Sequence, residues 1–180
     1  MAQYARPDAD RTDGSWLNSS SNNTNLYSYV DETSVNDSDY IQSIDSSASA
    51  DTVILDLSSV TDPENAANHT VFYRARVAAG MMGGTPDLTI ALFQGASQIA
   101  TKTDSGVTTS FSDDNLNLST SEANSITDYT DLRIKFTRAA GGGAGGETVT
   151  ISWCYFSCDD AAGSSIAPIS MNTYRQMRGN

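Results

Sequence analysis

From Tyr40 onward the chain alternates apolar and polar residues with a period of two, which restricts it to extended strands that bury one face. Between Thr70 and Ala79, Val71, Tyr73, Ala75 and Val77 fall on one side, and Arg74 and Arg76 on the other. Asp39 to Ile44 and Thr52 to Leu57 read as strands in the same way. Leu88, Ile90 and Leu92 repeat the pattern after a turn at Gly83-Gly84-Thr85-Pro86, and a short strand follows at Gln98 to Ala100. Late in the chain, Leu132, Ile134 and Phe136 share a face against Arg133 and Lys135, and Val149, Ile151, Trp153 and Tyr155 share another. The glycine-rich stretch Gly141 to Gly146 between them reads as a hairpin tip.

One short helix is expected. Ser119-Thr120-Ser121-Glu122 matches a capping box, Leu118 and Ala123 are placed for a hydrophobic staple, and Thr127 and Asp128 end the helix after about two turns. The strand count is roughly eight, and a single helix among them excludes alternating β-α units. The expected fold is all-β: an antiparallel β-sandwich of jelly-roll type with one short helix and extended terminal arms. Residues 1–37, rich in Asn, Ser and Asp, read as an N-terminal arm, 38–160 as the sandwich, and 161–180, where the alternation stops and Pro168 appears, as a C-terminal tail.

Charge narrows the partners. A net charge of -12 opposes wrapping nucleic acid or adhering to an anionic membrane, both of which require Lys and Arg. Residues 1–64 hold twelve acids and two bases, Arg6 and Arg11, whereas the last twenty residues hold Arg175 and Arg178 and no acid. No apolar run is long enough to span a bilayer, and the first seven residues lack the basic-then-apolar pattern of a signal peptide. The N-x-S/T triplets at Asn18, Asn22, Asn36, Asn68 and Asn117 follow from the abundance of Asn, Ser and Thr.

Patterns that carry chemistry are weak. Cys154 and Cys158, four residues apart on one strand, would be about 13 Å apart at Cα, too far for a disulfide, and they read as reduced thiols. His69 is the only imidazole, and no nucleophile elbow accompanies it. Gly141-x-Gly143-x-x-Gly146 fits a dinucleotide pattern literally, but a strand follows where a helix is needed. Asp8 to Gly14 resembles a calcium loop with its glycine one place late and Ser19 where a Glu is required. The expectation is a protein that catalyses nothing and needs no cofactor or metal. Exposed aromatics, with Trp16, Tyr27, Tyr29 and Tyr40 as candidates, would serve either as cover for the core or as stacking platforms for sugar.

Several blocks in order resemble a family of tailed-bacteriophage and prophage virion proteins. They are Arg6-Pro7-x-x-Asp10, Gly14-x-Trp16, Leu26-Tyr27-x-x-Val30-Asp31-Glu32, Asp37-x-Asp39-Tyr40-Ile41, and Leu88-Thr89-Ile90-x-Leu92-Phe93-x-Gly95 with Ile99-Ala100. Glu122-Ala123-x-x-Ile126-Thr127-Asp128-Tyr129-x-Asp131-Leu132-Arg133 and Val149-x-Ile151-Ser152-Trp153 follow. The resemblance spans residues 6–156, leaves the tail outside it, and implies a virion structural component built on a β-sandwich. An acidic protein is repelled by packaged DNA, which favours the outer surface of the particle. The expected role is an outer capsid decoration or cement subunit, made in the host cytoplasm, contacting the major capsid protein or other virion proteins as a homo-oligomer such as a trimer. The alternatives are a tail, collar or fibre component, or a carbohydrate-binding module for a host glycan. Arg6, Trp16 and Tyr27 in the arm, and Tyr174, Arg175 and Arg178 in the tail, are the expected partner contacts, the tail arginines pairing with a neighbour's carboxylates.

Overall fold

The computed structural model describes residues 1–45, 49–78, 85–140 and 147–161. Its strands are β1 (Ala2–Ala5), β2 (Pro7–Thr12), β3 (Leu17–Asn18), β4 (Ile41–Gln42), β5 (Asp51–Leu57), β6 (Thr70–Ala78), β7 (Leu88–Gln94), β8 (Ser97–Asp104), β9 (Ser112–Asn117), β10 (Leu132–Arg138) and β11 (Thr148–Asp159). Two sheets contain them, in the orders β3-β4-β11-β6-β9, with β1 also on β11, and β2-β5-β10-β7-β8. Every pairing is antiparallel. The runs β4-β11-β6-β9 and β5-β10-β7-β8 make the eight-strand jelly roll that the alternation predicts.

The core lies between the sheets because each strand turns alternate apolar residues inward. Val71, Tyr73, Ala75 and Val77 of β6 meet Leu132, Ile134 and Phe136 of β10, all of them buried. The Tyr73 and Phe136 rings cross edge to face at 6.3 Å, joining one sheet to the other.

Four expectations are corrected. Residues 1–37 are not an arm: they supply β1, β2, β3 and a 3-10 turn at Leu26–Tyr29, and Ala5, Trp16, Leu26 and Val30 are wholly buried. Their apolar residues are too widely spaced for periodicity to show, and side-chain bonds hold the segment instead. Both carboxylate oxygens of Asp10 accept bonds from the backbone amides of Leu26 and Tyr27, at 2.8 and 2.7 Å, and so cap that turn. Second, β10 and β11 are not a hairpin, because they lie in opposite sheets; alternation shows which side chains point inward, not which strand is the neighbour. Gly141 to Gly146 lie outside the described residues. Third, β9 was not foreseen, since in Ser-Asp-Asp-Asn-Leu-Asn only Leu116 is buried. Fourth, the helix α1 is a single turn, Thr120–Ala123, although its capping box is formed as expected.

A β-bulge sets up the outer surface. Ile151 pairs with Ala75 but Trp153 pairs with Arg74, leaving Ser152 as the extra residue of β11. The bulge reverses the parity of the strand. Val149 and Ile151 point inward before it and Cys154, Phe156 and Cys158 after it, so Trp153 and Tyr155 face out, contrary to the unbroken alternation.

Candidate binding face

The outer side of the six-stranded sheet gathers aromatic and arginine side chains that strand pairing places in rows. Tyr155 lies opposite Phe72, and Phe72 opposite Asn115; one row along, Trp153 lies opposite Arg74, and Arg74 opposite Asp113. Tyr155 is the hub. Phe72 stacks on it at 4.9 Å, Trp153 meets it edge-on at 4.7 Å, and Tyr4 edge-on at 5.5 Å. The Arg6 guanidinium sits 5.1 Å from the same ring. Tyr4 is 54% exposed, the other three rings are half-buried, and a hollow of about 290 Å³ opens between Phe72, Trp153, Tyr155 and the β9 residues Asp113 and Asn115.

Polar contacts fix these side chains. β11 pairs with β4 at Thr150 and Ile151 and with β1 from Phe156 onward, which leaves a gap between them. Residues 30–32 fill it: the Val30 carbonyl accepts from the Cys154 amide, and the Glu32 carbonyl from both the Trp153 indole and Arg6. Arg74 makes a bidentate pair with Asp37 and a further bond to Asp113, each at 2.8 Å. The Arg74 hydrogen bonds, reinforced by Ser152, hold the Asp37 carboxyl below the usual carboxylate range.

Further along the same face, Arg76 lies over the Phe111 ring at 4.6 Å and the Tyr40 ring at 6.0 Å. It borders a second hollow, of about 420 Å³, with Gln42, Ala78, Thr109, Thr148 and Thr150.

Of the described residues expected to touch partners, only Arg6 reaches this face. Trp16 is wholly buried in the core and cannot stack on a sugar, and Tyr27 is packed against the core beside Asp10. Tyr174, Arg175 and Arg178 lie outside the described residues. Among the other proposed sugar platforms, Tyr29 packs on the core and Tyr40 flanks Arg76. The sequence reading missed Phe72, which the inward parity of Val71 and Tyr73 places outside, and it missed Trp153 and Tyr155, which the bulge hides.

His69 and the two cysteines are buried in the interior. His69 is buried, with Nδ1 2.9 Å from the Ala67 carbonyl and Nε2 2.6 Å from the Tyr129 hydroxyl. A carbonyl only accepts, so Nδ1 carries a proton, and in the neutral ring Nε2 accepts from the Tyr129 hydroxyl. Burial, with help from Asp62, pushes the Tyr129 hydroxyl up to about 12, which keeps it a donor. Cys154 and Cys158 are free, buried thiols on one strand. Among the described residues no group of three or more His, Cys, Asp or Glu is gathered to hold a metal, and Asp10 of the calcium-like loop is spent on the amides of Leu26 and Tyr27. No helix among them is long and apolar enough to cross a membrane.

No protein-family model matches the chain, and no curated protein does. Several solved structures are similar to it. A Stig cyclase, FisC from Fischerella sp. TAU, is similar with a TM-score of 0.50 and 12% identity over 89% of this chain and 75% of that one. A carbohydrate-binding module in complex with β-1,4-galactotriose has a TM-score of 0.42 and 8% identity, over 67% of this chain and 71% of that one. A family 4 carbohydrate-binding module has 0.41 and 14%, over 69% and 80%. At 12% identity the likeness to the cyclase is one of fold alone.

Proposed function

We propose that this chain is a structural protein of a tailed-phage virion, an outer capsid decoration or cement subunit that catalyses nothing and works by docking on other virion proteins. The observation that carries the docking role is the Tyr155 hub. Tyr, Trp and Arg are the residues that dominate the energetics of protein interfaces, and here Tyr4, Phe72, Trp153, Tyr155 and Arg6 form one half-exposed cluster. The cluster is already immobilised by Glu32 and by ring–ring contacts, so little side-chain entropy is left to lose on binding. The virion setting rests on the sequence resemblance, whose Trp153 block contributes to the hub. The net charge of -12 favours a place away from DNA, and partners that bind only assembled capsomers stabilise the assembly by mass action. With residues 1–37 folded into the sandwich, this face replaces the supposed arm as the main contact; the tail arginines Arg175 and Arg178 are a second contact, to a neighbour's carboxylates, within a homo-oligomer such as a trimer.

The test is localisation followed by disruption. Electron microscopy of particles that encode the chain should place it on the capsid surface, and Tyr155→Ser with Phe72→Ser should lower its retention on particles at least tenfold while the isolated protein still unfolds cooperatively. Absence of the chain from particles, or full retention of the double variant, overturns the reading.

A further inference from the structure

Arg74 and Arg76 leave β6 on the same side, yet only Arg74 is neutralised. All 22 acidic side chains of the protein lie among the described residues, and none of them pairs with Arg76. Asp37, the acid in its vicinity, spends both oxygens on Arg74 and one of them also on Ser152. The Arg76 guanidinium lies over the Phe111 ring at 4.6 Å and the Tyr40 ring at 6.0 Å, and Arg76 borders the hollow of about 420 Å³. A guanidinium has five donors in a fork that matches a carboxylate, and in a protein of net charge -12 this one is paired with none of the acidic side chains.

The other groups around the hollow describe the rest of that ligand. Gln42, Thr150 and Arg76 form one row across three strands, since Thr150 pairs with both Gln42 and Arg76. Thr109 adds an exposed hydroxyl to the lining, whereas Thr148 and Thr150, 8% and 2% exposed, contribute only its buried side. Hydroxyl and amide groups that both donate and accept suit a polyol. The hollow is within the size range of small-molecule sites and far larger than a single aspartate or glutamate side chain needs. Past Gln42 and Thr148 the surface continues into another hollow of about 300 Å³, beside Asn18, Tyr40 and Ser43, so a ligand longer than one ring is accommodated.

We infer that the Arg76 hollow is a binding site for an acidic glycan, with a uronic- or sialic-acid carboxylate on the Arg76 guanidinium and sugar hydroxyls on Gln42 and Thr109. The inference shares a sheet face with the docking role but does not rest on the virion placement: a chain absent from particles that still binds acidic sugar fails one reading and passes the other.

The experiment is calorimetric titration of the full chain with short oligogalacturonates and with oligosialic acid, against neutral galacto-oligosaccharides and a short glutamate-rich peptide. At least one acidic glycan should bind, with the neutral glycan and the peptide about tenfold weaker or more, as expected for loss of a charge-assisted bidentate contact. Arg76→Gln should abolish the preference for the acidic sugar, Arg76→Lys should keep part of it, and Gln42→Ala should weaken binding without changing the preference. Failure of both acidic glycans to bind, equal binding of the neutral one, or stronger binding of the peptide overturns the inference.

Discussion

Gly14 passes so close to Thr52 that a methyl group on its Cα would lie 2.2 Å from the Thr52 carbonyl oxygen and 2.7 Å from an Asp51 carboxylate oxygen. Its φ of +57° is also one that residues with a Cβ adopt at a cost. Gly14→Ala therefore meets two penalties together, left-handed backbone and overlap with the backbone of β5, which add to about 2–4 kcal/mol. The midpoint of urea unfolding should fall accordingly. A variant within about 0.5 kcal/mol of the parent would mean that the turn before Trp16 does not press on β5, since changes of that size are typical of unconstrained surface sites.

The His69 and Tyr129 pair makes a second prediction. Tyr129→Phe leaves the buried Nε2 of His69 without a donor and should cost about 1–3 kcal/mol. His69→Phe removes both nitrogens and leaves the Tyr129 hydroxyl seeking water, so the double variant should be less destabilised than the sum of the two singles, because each single strands a partner that the double removes. Strict additivity in a double-mutant cycle would show that the bond contributes nothing.

Glu32 connects stability to pH. Both its carboxylate oxygens are buried with no hydrogen-bond partner, and burial raises its pKa. A group whose folded pKa is raised contributes stability below its unfolded pKa, and that contribution is lost as the pH rises through the folded pKa. The parent should thus lose stability relative to Glu32→Gln on going from acid to neutral pH, with the two converging at the acid end. Urea midpoints of both proteins measured across that range give the difference directly. A gap that widens toward acid would reverse the sign and refute the assignment.

How much of this could be read from residues alone depends on the range of the interaction. The jelly roll and the parity of β6 and β10 are written in alternating side chains, each of which answers only to the core. The capping box is equally local: Ser119 and Glu122 are three residues apart, bond each other's backbone, and Ser119 lowers the Glu122 pKa. Ser152 is different, because nothing in Ile-Ser-Trp marks it as the residue that Ala75 and Arg74 leave unpaired. That one residue decides whether Trp153 and Tyr155 are core or surface, so the candidate face is hidden where the fold is plain. Arg6 is among the expected partner contacts, yet what places it on this face is a carbonyl 26 residues away.

The cysteines provide the last prediction. Cys154 and Cys158 both turn inward after the bulge, and both are buried and free. Burial drives the Cys154 thiol far above the usual range, and burial with the nearby Asp159 pushes Cys158 up to about 11. Since the thiolate is the reactive form, only a very small fraction of either residue is nucleophilic at neutral pH, and access to Cys154 requires β11 to separate from the opposite sheet. Labelling with a thiol reagent should accordingly wait for unfolding, giving two equivalents in urea and almost none in buffer, and thermal stability should be the same with and without reductant. Cys158, the less strongly shifted of the two and near the end of β11, should react first as urea is raised. Fast labelling of Cys154 in native buffer would contradict the burial that the bulge imposes, and with it the outward placement of Trp153 and Tyr155.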